Sequence, residues 1–249
     1  MSLISDYLRI IFSTYRDDRF LWFTIFAVLF STLVYAFLSV PFLIIEKSPL
    51  KNLSKYKLDS NQDIVNLAKK SILLWGLNTG ILLCFSVIVW PLISLSQINL
   101  SPFPGFIQSM FQIILFLIID DTLFYFYHRL LHLPFLYEKV HRIHHSYHYS
   151  SVLAAVHFHP IEYLILSLGF FSAPIILGVN VWVFYFWILI RQAIGVLGHC
   201  GYSFPWKIQK FIPYHSGNQF HYLHHKIPNR NYGLFFDYWD RIFFTHRLK

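Results

Sequence analysis

Histidine spacing is the chemical signal in this chain. His128 and His132 stand four apart in His-Arg-Leu-Leu-His, and His141, His144 and His145 follow in His-Arg-Ile-His-His. His221, His224 and His225, in His-Tyr-Leu-His-His, repeat that second pattern. On a helix, residues three and four apart share a face. Each spacing therefore predicts imidazoles aimed together, two from the first run and three from each later one. Neutral imidazole is a good ligand for divalent iron, zinc or copper. Eight converging rings supply nitrogen for two metal ions, with positions left for oxygen or water. All 14 histidines lie after residue 127. A basic, aromatic-rich tail accumulates scattered histidines easily, whereas one pair and two identical triplets are the mark of spaced ligands.

The elements that must position these rings are apolar. The 249 residues are 56% hydrophobic and 20% aromatic, with 13% charged, and mean hydropathy is +0.49. That composition belongs to membrane proteins. Residues 20–40 carry no charge and are long enough to span a bilayer. Arg9, Arg16 and Arg19 precede them without a credible cleavage site, so the first span is expected to stay. Further spans are predicted at about 72–94 and 106–127. Residues 161–198, as one straight helix, would reach about 57 Å, nearly twice a ~30 Å hydrocarbon core. Gly178-Val179-Asn180 is a natural break, so two short or tilted segments forming a hairpin are expected. The fold class expected is an all-α integral membrane protein of four to five embedded helices with a cytosolic, histidine-rich helical cap. Residues 1–105 read as a membrane-anchoring hairpin and 106–249 as the histidine-box domain.

The loop over 46–71 holds Lys47, Lys51, Lys55, Lys57, Lys69 and Lys70, whereas 95–105 is uncharged. The positive-inside rule puts the former in the cytoplasm and the latter outside. The third span then delivers its histidines to the cytoplasmic face, and an even number of later crossings brings every cluster there. Lys207, Lys210, Lys226, Arg230, Arg241, Arg247 and Lys249 suit the same side. Cys84 and Cys200 form no thiolate cluster or disulfide framework. The net charge of +8 is scattered outside the spans and accompanies no nucleic-acid reader motif, so it reads as an orientation signal and a surface for anionic lipid or an acidic partner.

Around the rings, Asp121 shares a helix stripe with His128 and His132 and is the candidate to accept the free N–H of a ligating imidazole. Pro134 ends the first histidine helix and opens the next, turning the first two clusters together. Arg191, deep in an apolar run, needs a counter-charge from Glu162, Asp120 or Asp121. His199 emerges from the hairpin at the depth of the clusters and is a further candidate ligand. His157 and His159 are weaker ones, and His148, His215 and His246 read as surface or supporting residues.

Taken in order, Asp120-Asp121-Thr122-Leu123-Phe124-Tyr125, the three histidine runs, His159-Pro160-x-Glu162, His199-Cys200-Gly201-Tyr202, Asn231-Tyr232-Gly233 and Tyr238-Trp239-Asp240-Arg241 resemble the fatty acid hydroxylase/sterol desaturase superfamily. The likeness covers roughly 106–245, and its His-x-Gly-Tyr segment and closing motif look most like 4-methylsterol oxidases and sterol 25-hydroxylases. Many relatives carry a histidine just before the last triplet, where Phe220 stands here.

The resemblance implies two non-haem iron ions and oxidation of an unactivated C–H bond of a sterol or other lipid with O2. It places ligands at His128, His132, His141, His144, His145, His199, His221, His224 and His225. No flavin, nicotinamide or cytochrome module is evident. Electrons are therefore expected from a separate b-type cytochrome or ferredoxin with its reductase, docked on the basic face. The host membrane is expected to be the endoplasmic reticulum in a eukaryote or the inner membrane in a bacterium. Rival readings are a lipid desaturase with the same boxes, a zinc hydrolase (which lacks its His-Glu-x-x-His motif here), and a membrane metal-binding or transport protein, whose ligands would be strung along several depths.

Overall fold

A computed structural model describes residues 3–47, 51–59, 65–205 and 211–247. Lys207, Lys210 and Lys249 of the basic set lie outside them. The described chain is helical, with isolated bridges and no extended sheet among the described residues. Short α1 (Leu3–Thr14) and α2 (Arg19–Phe23) lead into α3 (Ile25–Lys47), with α4 (Lys51–Ser54) following. Then come α5 (Val65–Ile93) and α6 (Phe106–Leu131). Helix α7 (Pro134–Lys139) and two 3-10 turns, His141–Ser146 and Val152–Val156, precede α8 (Pro160–Leu177) and α9 (Val181–His199). Helices α10 (Asn218–Lys226) and α11 (Tyr238–Ile242) close the fold. Among the described residues, five segments are long and apolar enough to cross a membrane, namely Arg19–Lys47, Leu67–Ile93 and helices α6, α8 and α9.

The break at 178–180 is built by local chemistry. Gly178 has φ +72°, and a Cβ there would stand 2.5 Å from Gln97 Cβ. Asn180 then caps α9 by accepting from Trp182 N at 2.9 Å. Its amide also donates to Ser101 O at 2.6 Å, and the Asn99 backbone donates to Val179 O and accepts from Val181 N. The uncharged 95–105 connection is thereby clipped to the α8–α9 hairpin, at the end of α6 opposite His128. At the near end Pro160 occupies the first turn of α8, and His159 accepts from Ile161 N.

Helix α3 packs along α9, and α8 lies against both α5 and α6. Trp90, Phe116, Phe184 and Trp187 fill the core between them. The first two spans also reach the histidine-bearing segments. Tyr35 Oη of α3 donates to Val152 O at 2.5 Å, and Ser71 Oγ of α5 lies 2.8 Å from His157 Nδ1. Arg191 finds its counter-charge in Asp120, Nε to Oδ2 2.5 Å, with its guanidinium over Phe124.

Candidate metal centre

Elements distant in sequence bring nine imidazoles to one end of the bundle. Helix α6 supplies His128, and His132 caps its C-terminus. The turn begun by Pro134 folds the His141–Ser146 segment back, so that His141 Nε2 lies 3.0 Å from His132 Nε2. His199 ends α9, and α10 adds its three histidines. The rings form two groups: His128, His132, His141, His145 and His224, and His144, His199, His221 and His225. All are buried except half-buried His132.

Each triplet divides between the groups instead of pointing three rings one way. His141 and His145 enter the first group and His144 the second, whereas His221 and His225 enter the second and His224 the first. The i, i+4 members stay together, and the residue between them turns to the neighbouring group. His148, His157, His159, His215 and His246 lie outside both. His157 is engaged by Ser71, and His159 caps α8.

The ring nitrogens show what the arrangement can do. The Nδ1–H groups of His128, His144, His199, His224 and His225 donate to the carbonyls of Tyr232, Ala154, Gly195, Arg230 and Tyr147, at 2.6 to 3.1 Å. His141 Nδ1–H donates to Glu162 Oε1 at 2.7 Å. A carbonyl can only accept, so the five rings bonded to carbonyls present an unprotonated Nε2 inward, and His141 does the same beside an ionised Glu162. In the first group the Nε2 atoms of His132, His224, His145 and His141 close a ring of contacts at 3.0 to 3.2 Å. His141 and His224 have already spent their protons outward, so two protons at most remain for four contacts. In the second group His221 Nε2 meets those of His199 and His225 at 2.9 and 3.2 Å. Lone pairs crowded this way fit a cation at each centre. Burial and neighbouring rings keep them neutral: His132 is pushed down to about 2, and His141, His144, His221, His224 and His225 lie well below 6.5.

Asp121 occupies a different place from the one its spacing suggests. Its Oδ1 accepts from the backbone N–H of Phe235 and Phe236 at 2.8 and 3.2 Å, while His128 Nδ1 uses Tyr232 O. The carboxylate anchors the loop that holds the ring; the helix stripe aligns Asp121 with His128 without bringing them into contact. Asp240 grips the same loop, accepting from Tyr232 N, Gly233 N and Thr245 Oγ1. At Gly233 a Cβ would stand 2.3 Å from Phe236 O, which fixes the glycine of Asn231-Tyr232-Gly233. Glu162, one of three counter-charges the sequence offers Arg191 and part of the His159-Pro160-x-Glu162 run, touches a clustered ring instead, at His141 Nδ1.

Over the histidines lies a cavity of about 120 Å³. His128, His141, His144, His199 and His221 form its floor, and Tyr35, Phe124, Phe170 and Gln192 are among the span residues in its walls.

The family profile described as fatty acid hydroxylase matches residues 113–245, which hold all nine clustered rings. The chain belongs to the fatty acid hydroxylase family. This fatty acid hydroxylase family member is therefore a membrane oxidoreductase of the oxygenase type. It is similar to methylsterol monooxygenase erg25B of Aspergillus fumigatus, with 32% identity over 86% of this chain and 74% of the relative. It is also similar to methylsterol monooxygenase 2-2 of Arabidopsis thaliana, with 31% identity over 86% of this chain and 82% of the relative. The rice very-long-chain aldehyde decarbonylase GL1-8 is 33% identical over 59% of this chain and 56% of its own length. No solved structure matches the chain.

Proposed function

We propose that the protein is a monooxygenase that hydroxylates an unactivated C–H bond of a methylsterol or a closely related lipid, using O2 and two iron ions. The observation that carries this reading is the inward convergence of imidazole Nε2 atoms in two groups beneath a cavity walled by membrane spans. The methylsterol monooxygenases that resemble the chain over most of its length support the substrate class. The five-ring group would hold one iron and the four-ring group the other. Iron there would supply activation of O2, chemistry that no side chain performs.

The protein's own part is positional. Five carbonyls and Glu162 fix the tautomers and planes of six rings. Tyr35, Phe124 and Phe170 keep the reacting carbon away from bulk water. Exposed Lys139, Arg142 and Lys226 flank the triplets and offer an acidic b-type cytochrome or ferredoxin a docking surface. This face is assigned to the cytosol on the lysine-rich 46–71 loop. Glycosylation acceptors in lengthened versions of the Asn52-Leu53-Ser54 and Asn99-Leu100-Ser101 segments should be modified only at the second.

The test is turnover by the iron-loaded protein in vesicles containing a methylsterol, a reductase-driven electron donor and isotopically labelled O2. A hydroxymethyl product carrying one labelled oxygen is expected. An alkene, or an alcohol whose oxygen comes from water, overturns the reading.

A further inference from the structure

The histidine cavity is too small for the substrate proposed for it. Its volume of about 120 Å³ falls well below the volumes of pockets that enclose drug-sized ligands. A second cavity of about 540 Å³ lies among the spans, within the roughly 300–1,000 Å³ that encloses drug-sized ligands. Leu82 of α5 and Ser167 and Phe171 of α8 line both. The larger cavity opens toward lipid, because Leu92 and Ile176 on its lining are 71% and 76% exposed. Its serines are already engaged: Ser86, Ser167 and Ser172 donate to carbonyls of their own helices at 2.7 to 2.9 Å. The body it accepts is therefore apolar. Phe171 is braced from behind, with its ring 4.4 Å from Phe170, which in turn stacks on Trp187.

We infer that the larger cavity seats the apolar body of the substrate and that Phe171 and Leu82 form a constriction admitting only one end of it to the imidazoles. Oxidation then falls within a few bonds of that leading end. A mid-chain carbon would need both arms of a bent chain to pass the gap between one phenylalanine and one leucine. This inference rests on the lipid-oxygenase reading and deepens it by naming the residues that decide which carbon is reached.

The test uses the full chain in lipid nanodiscs and two photoreactive sterols, with a diazirine in the first ring or at the end of the side chain. Adducts are mapped by mass spectrometry. One probe is expected to label the histidine cavity at Phe158 or Leu166, and the other only the larger cavity at Val89 or Ile175. Phe171→Trp should remove the first set of adducts and leave the second, whose survival also reports an intact fold. Leu82→Phe narrows the same gap from the opposite helix and should act alike, whereas Phe171→Ala should increase labelling of the histidine cavity. Equal labelling of that cavity by both probes, labelling indifferent to both narrowing variants, or no adduct in the larger cavity overturns the inference. The expected labelling without any hydroxylated product would instead sink the proposed activity and leave the constriction standing.

Discussion

The two imidazole groups are made from the same sequence patterns and held by different parts of the fold. The five-ring group leans on α6 for His128 and His132, and on Glu162 and the Tyr232 loop for orientation. The four-ring group leans on α9 for His199, and on the carbonyls of Ala154, Gly195 and Tyr147. Each triplet gives two rings to one group and lends the third across. Neither group can assemble without both triplets, so the centre is cooperative by construction. The difference lies in reserve: the five-ring group includes half-buried His132, whereas all members of the four-ring group are buried.

The lent rings are where this comparison is most easily broken. His144→Ala and His224→Ala should each reduce turnover to background and lower metal content, while the protein still fractionates with membranes. Full activity in either variant would mean that the groups do not depend on shared triplets. The next largest effect is expected at Gly233. Gly233→Ala forces a methyl against Phe236 O and should destabilise the cap by about 1–3 kcal/mol, read as a lower unfolding midpoint. Metal loss should begin in the five-ring group, because this loop carries the Tyr232 carbonyl.

Carboxylate variants sharpen the contrast further. Glu162→Gln should weaken metal binding by about 10–100-fold, the range for losing a partner that orients a ligand. Asp121→Asn should weaken it less, because Asp121 touches the loop and no ring. Competition with a chromophoric chelator ranks the two, and the reverse order would restore Asp121 to direct support of His128. The pH dependence of the metal-free protein tests the burial of both groups together. Burial holds the clustered imidazoles neutral, with His132 near 2 and the others named above well below 6.5. Once unfolded they regain ordinary values and bind more protons below about 6.5. Stability is therefore full above that pH and declines as pH falls through it. Denaturant midpoints compared at about pH 7.5 and about pH 5.5 should show the loss, and equal midpoints would contradict neutral burial.

Much of this was legible before folding was considered, and the rest was hidden for definite reasons. The spacings 128/132 and 221/225 are local to α-helices, so helical periodicity aims those pairs correctly, whereas His141 and His145 converge from a 3-10 turn. The same periodicity fails for His144 and His224, because a residue three along a turn can face either of two neighbouring centres. Asp121 lay on the expected stripe, yet the Phe235 and Phe236 amides, more than a hundred residues away, claimed its carboxylate. Five of the six groups that orient rings are backbone carbonyls, which carry no residue signature at all.

The sequence alone determined four to five apolar crossings, the break at Gly178, and the histidine runs able to meet, because hydrophobic length and residue spacing act within a single segment. Tertiary structure alone decided how the rings divide into groups, that Arg191 pairs with Asp120 and Glu162 with His141, and that Phe171 lines both cavities. Those outcomes depend on which distant segments approach within a few ångströms. Several chemically equivalent partners were on offer in the chain, and packing of the spans leaves only one of them within reach.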